Sequence, residues 1–163
     1  MLVVQHNCRK AYAITIAALE TGLALKAEIV CLQEPYIGVN NITHGGYIIL
    51  WPEIGIREKK RVAIAIRKDL LNSLIIEPRT DLINHPYALA LDVWDIHHKT
   101  RTKIRRTRLI NIYDNIIDTG PEDWQVIGRT RRAIEDINWQ AALGGRVVLL
   151  GDFNAHSPLW DPR

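Results

Sequence analysis

Eight apolar runs, none longer than a strand and punctuated by glycine, proline or asparagine, constrain this chain more than any other feature. They are Leu2–Gln5, Ile29–Gln33, Tyr47–Trp51, Val62–Arg67, Leu74–Glu77, Tyr87–Trp94, Leu109–Tyr113 and Val147–Leu150. Their length and their content of Ile, Val and Tyr predict strands. Leu89, Leu91 and Val93 alternate with Ala90 and Asp92, the pattern of a half-buried strand. Val147–Leu150 is continuously apolar, which predicts a strand buried on both faces. No run approaches the roughly 20 apolar residues of a membrane span.

Two segments carry helical spacing instead. From about Lys10 into the low twenties, Ala11, Ile14, Ala18 and Leu19 fall on one face, and Gly22 is expected to mark the end. A second helix is expected from Pro121. Thr119 stands three residues before Glu122, a capping-box spacing, and Glu122 and Asp123 suit the positive end of a helix. Ile127, Ile134, Ile137 and Ala141 form its stripe, and Gly144-Gly145 stops it. Strand–helix–strand, a run of strands, then helix–strand predicts an α/β protein with mixed sheets and helices on their outer faces. The first unit should be a right-handed crossover between parallel strands.

A length of 163 residues suits a single domain over 1–163, long enough to bury a core without staples. The 24% of charged residues and the abundance of aliphatics exclude disorder. Cys8 and Cys31 make no disulfide framework, have no zinc-site spacing and are expected as buried thiols. The first residues do not read as a signal peptide, so the expected compartment is reducing and intracellular. The net charge of +3 is uneven: His97–Arg108 holds six of the 21 Lys+Arg and no acid, leaving the rest of the chain acidic. Lying between two predicted strands, it should form a basic hairpin. Lys99, Arg101, Lys103, Arg105, Arg106 and Arg108 are therefore candidate phosphate contacts.

Polar residues gather where four of the runs end: Asn7, Glu34, Tyr113, and Asp152 with Asn154. Ligand sites of open α/β sheets lie beyond the carboxyl ends of strands, so these residues are expected to converge. Glu34 and Asp152 are hard oxygen donors of the kind that hold Mg²⁺. The asparagines can orient such ligands or a phosphate oxygen, and Tyr113 offers a phenol.

Four segments carry a resemblance. They are Gln5-His6-Asn7-Cys8-Arg9-Lys10-Ala11, Val30-Cys31-Leu32-Gln33-Glu34-Pro35-Tyr36, Asn111-Ile112-Tyr113 and Leu149–Trp160 with its Gly-Asp-Phe-Asn-Ala-His-Ser-Pro-Leu-Trp string. Together they resemble the endonuclease/exonuclease/phosphatase superfamily, above all the apurinic-endonuclease-like domain of non-LTR (LINE-type) retrotransposon polyproteins. The resemblance implies a four-layer αββα sandwich of two packed mixed sheets. It also implies hydrolysis of DNA phosphodiesters with Mg²⁺, or Mn²⁺ as the alternative ion, and a nuclear parent polyprotein fused to a reverse transcriptase. By the same resemblance Glu34 is the metal ligand with Asn7 beside it. Tyr113 contacts the scissile phosphate, Asp152 orients or deprotonates the attacking water, and Asn154 binds the phosphate. His156 belongs to the retroelement form of the motif.

The family pattern continues beyond this motif with further strands, a late metal-binding Asp and a Ser-Asp-His triplet, none of which occurs in these residues. A partial sandwich with impaired activity on its own is therefore expected, with an unpaired sheet edge and an exposed apolar face. Two other readings accompany the nuclease: a non-catalytic relic binding nucleic acid through the 97–108 hairpin, and a phosphatase of the same fold.

Overall fold

The computed structural model describes residues 1–38, 42–53, 60–97, 99–100, 102–114 and 133–153. In chain order the elements are β1 (Val3–Asn7), α1 (Tyr12–Ala24), β2 (Ile29–Gln33), β3 (Tyr47–Leu50), β4 (Val62–Arg67), β5 (Leu74–Pro78), β6 (Ala88–Ile96), β7 (Lys103–Tyr113), α2 (Trp139–Ala142) and β8 (Arg146–Asp152). Every predicted strand is present, most shifted or lengthened by a residue or two. β7 departs furthest: its polar first half, Lys103–Arg108, pairs along β6 and so belongs to the strand.

Two four-stranded mixed sheets form, in the orders β1-β2-β4-β3 and β5-β6-β7-β8. β1 and β2 are parallel across the α1 crossover, and β7 and β8 are parallel at the far end of the second sheet. Side-chain alternation builds the layers. Ile29, Cys31, Val62, Ile64 and Ile66 face Leu89, Leu91, Val93 and Leu109 between the sheets. On the outer side of the first sheet, Val30, Leu32, Ala63 and Ala65 meet Ala18 and Leu19 of α1. On the outer side of the second, Ala88, Ala90, Ile110 and Ile112 meet Ala133, Ile137 and Ala142. The result is the αββα layering. Among the described residues no helix is long and apolar enough to cross a membrane.

Three expectations need correction. Gly22 does not end α1. It lies inside the helix because a Cβ there would stand 2.6 Å from Val30 Cγ2 and 2.8 Å from Tyr47 Oη. The helix buries Thr15, Ala18, Leu19 and Gly22, whereas Ile14 is 37% exposed. A stripe containing a threonine and a glycine is invisible to an apolar count. Among the described residues β8 pairs with β7 alone, and Leu149 is 39% exposed there rather than buried.

The expected second helix is interrupted. Ala133–Asp136 forms a 3₁₀ turn, and α2 starts afresh at Asn138, whose side chain accepts a hydrogen bond from Ala141 N at 3.2 Å. An asparagine that caps a new helix competes with continuing the old one. The earlier part of that segment, with Thr119, Pro121, Glu122, Asp123 and Ile127, lies outside the described residues.

Candidate active site at the strand ends

Both parallel pairs run toward the same edge. Register places Asn7 beside Gln33 and Tyr113 beside Asp152. Two side-chain hydrogen bonds join the sheets there, the first from Asn7 Nδ2 to Asp152 Oδ2 at 2.7 Å. Gln5 Nε2 donates to Gly151 O at 2.8 Å beside it. Gly151 is required: a Cβ would sit 2.4 Å from Ile112 O, so only glycine lets β8 lie this close to β7 and carry Asp152 to the edge. Farther inside, Gln33 Nε2 donates to Asn111 Oδ1, and Asn111 Nδ2 donates to Leu32 O at 3.0 Å and Ala63 O at 2.9 Å. This fully buried polar clamp ties β2 and β4 to β7 directly beneath the site.

Backbone conformation at the edge is unusual. Arg9 (φ 48°), Lys10 (φ 60°) and Glu34 (φ 44°) are left-handed without being glycine. Each costs on the order of 1–2 kcal/mol. Hydrogen bonds hold them: Arg9 N to Asn7 Oδ1 at 2.9 Å, Lys10 N to Glu34 O at 2.7 Å and Glu34 N to Arg61 O at 2.7 Å. Strain of this kind persists where the surroundings over-determine it, often at functional sites.

The Glu34 carboxylate is only 12% exposed. Its Oε1 lies 3.1 Å from Lys10 Nζ and 3.8 Å from an Arg61 guanidinium nitrogen. Burial first, then the neighbouring Glu34 carboxylate, then the charge of Asp152, raise the Tyr113 pKa above its ordinary value. The phenol stays protonated and remains a donor. Its ring packs edge-on to Tyr87 at 6.2 Å.

The structure thus brings together Asn7, Glu34, Tyr113 and Asp152. Asn154 and His156 lie outside the described residues, as does Arg101. Lys10, Arg61, Gln33 and Asn111 were not singled out by the sequence as site residues. The available signal was a polar pair, Gln33-Glu34, closing an otherwise apolar buried strand.

The basic hairpin lies elsewhere. Lys103 and Tyr113 stand at opposite ends of the 11-residue β7, roughly 33 Å apart at the usual strand rise. Arg108 is corrected from an exposed phosphate contact to a core residue, 1% exposed. It faces the outer layer beneath α2, where it grips Asp92 through two hydrogen bonds at 2.7 and 2.8 Å and donates to the carbonyls of Ala141 and Ala142. Lys103 pairs with Glu77, Arg105 with Asp95, and Arg106 donates to Gly144 O. Lys99 is exposed. Three acids from β5 and β6, Glu77, Asp92 and Asp95, pair four of the six cations, and Asp92 is shared with Arg79, so the +6 of the segment is offset only in part.

Cys8 and Cys31 are free and buried. Burial pushes the Cys31 thiol up to about 12, so neither cysteine offers a thiolate here.

The sequence model of the Endonuclease/Exonuclease/phosphatase family matches residues 4–163. Among solved structures, the chain is similar to the "Endonuclease domain of TRAS1, a telomere-specific non-LTR retrotransposon", with a TM-score of 0.66 and 20% identity. That likeness covers 97% of this chain and 61% of the other, so the chain spans about three-fifths of that structure's length. A search of curated proteins finds no match.

Proposed function

The chain belongs to the endonuclease/exonuclease/phosphatase family, and from that premise we propose that its strand-end site hydrolyses phosphodiester bonds of DNA with a divalent cation, as a retrotransposon-type endonuclease does. The observation that carries this reading is the convergence of Glu34, Tyr113, Asn7 and Asp152 on one edge, with Asn7 and Asp152 bonded across the two sheets. The fold likeness to a retrotransposon endonuclease domain supports DNA as substrate.

The donor set fits Mg²⁺ or Mn²⁺. Among the described residues no three His, Cys, Asp or Glu side chains form a cage. Mg²⁺ is ordinarily held without one, by one or two carboxylates together with waters and substrate phosphates. Glu34 already holds a cation, the Lys10 ammonium at 3.1 Å. When bound, the ion supplies neutralisation of the phosphodiester charge that otherwise repels an incoming oxygen.

The remaining work falls to side chains. Asn7 fixes the Asp152 carboxylate through the 2.7 Å bond, and Asp152 takes the proton of the attacking water. Tyr113, kept protonated, donates to a non-bridging phosphate oxygen. Asn154 is assigned to phosphate binding by the motif it shares with Asp152.

Incubation of supercoiled plasmid with Mg²⁺ tests the proposal. The unaltered chain should nick it, at the impaired rate expected above, and Glu34→Gln and Asp152→Asn should each slow that nicking by at least ~10²-fold. Equal nicking by all three proteins would remove the site. Faster hydrolysis of an inositol phosphate than of DNA would favour the phosphatase reading.

A further inference from the structure

We propose that Lys10 is a substrate-contacting residue: its ammonium holds the cation place at Glu34 in the substrate-free site and passes to a phosphate oxygen when DNA and the metal ion arrive. The inference rests on the proposed function and adds to it a residue and a movement.

Three observations carry it. The β1–α1 turn is built to place this side chain, since Arg9 and Lys10 adopt consecutive left-handed conformations and Lys10 N is bonded to Glu34 O at 2.7 Å. Two cations then share one carboxylate oxygen, with Lys10 Nζ at 3.1 Å and Arg61 at 3.8 Å from Glu34 Oε1. Glu34 alone is thus over-neutralised, with two cations on one carboxylate, so Arg61 still faces it if Lys10 leaves. Finally, the two cations differ in exposure. The Arg61 side chain is 22% exposed and that of Lys10 57%. Lys10 is therefore the partner able to leave.

Chemistry favours the same division. An ammonium is a compact point charge on a flexible stem, whereas a guanidinium is a planar fork whose geometry holds it in place. An incoming Mg²⁺ or Mn²⁺ would face like-charge repulsion from Lys10 at Glu34. A non-bridging phosphate oxygen offers the displaced ammonium a new anionic partner.

Two titrations test this with Lys10→Met, using Lys68→Met as a control for the same charge change at the opposite end of the first sheet. Calorimetry with Mn²⁺ alone should show Lys10→Met binding the ion roughly three- to tenfold more tightly than the unaltered chain. Fluorescence anisotropy with a short duplex carrying non-hydrolysable phosphate analogues, in saturating Mn²⁺, should show Lys10→Met binding roughly tenfold more weakly, with the salt slope reduced by about one. Lys68→Met should show neither change, and Lys10→Arg should restore duplex affinity. Mn²⁺ affinity that is unchanged or lower in Lys10→Met, or duplex affinity equal to that of Lys68→Met, overturns the proposal. Glu34→Gln separates the two failures: Mn²⁺ affinity that survives it removes the metal site itself, whatever Lys10 does.

Discussion

At the scale of single residues, exposure and pairing decide which of two cationic groups can act. Lys10 and Arg108 are both basic, yet one faces solvent beside a carboxylate and the other is sealed beneath α2 with Asp92. Burial raises the Asp92 pKa, but hydrogen bonds from Arg108 and Arg79 outweigh it and hold the carboxyl below its usual value. Because the folded value is depressed, this stabilisation is complete above the unfolded pKa of about 3.9. It is lost as pH falls through the folded value. Asp92→Asn should therefore flatten the acid limb of a stability-against-pH curve. Removing one partner of such a buried pair costs roughly 3–5 kcal/mol, so Arg108→Met should lower the denaturation midpoint at pH 7 substantially. A midpoint within error of the unaltered chain would contradict the buried pair.

At the scale of elements, close approach overrules propensity. Alanine is favoured over glycine in a helix interior by about 1 kcal/mol, so Gly22→Ala ought to stabilise α1 taken alone. In the fold its Cβ would stand 2.6 Å from Val30 and 2.8 Å from the Tyr47 hydroxyl. Overpacking of this kind costs roughly 1–3 kcal/mol. Net destabilisation in urea melts is the expected outcome, and net stabilisation would mean that α1 sits farther from the sheet. The helix in fact ends at Lys26, left-handed at φ 57°, where Lys26 N bonds Leu23 O and Ala27 N bonds Gly22 O. This is a Schellman closure made without glycine. For that reason the usual terminator signal pointed four residues too early.

At the scale of the whole molecule, the site and the basic segment occupy opposite ends of the second sheet. Lys10 and Arg61 are the cations paired at Glu34 on the reacting edge; four of the six hairpin cations are committed to Glu77, Asp92 and Asp95. Joint substitution Lys103→Gln and Arg105→Gln should therefore leave duplex affinity within about twofold, since paired surface charges contribute little to distant partners. A tenfold loss would restore the hairpin as a nucleic-acid contact. The groove along Val4, His6, Ile14 and Ala17 opens beside β1, itself the edge of the first sheet.

The sequence by itself determined the strands, the α1 crossover, the layered α/β class and the polar side chains that end four strands. Those properties are written in local periodicity and in residues adjacent to one another, which a linear reading can follow. Only the tertiary structure decided that Arg108 is core, that Gly22 is a packing residue, that Val147–Leu150 lies parallel to β7, and that Lys10 and Arg61 meet at Glu34. Each of these depends on a partner distant along the chain, and no local pattern records the place where two sheets close on one another.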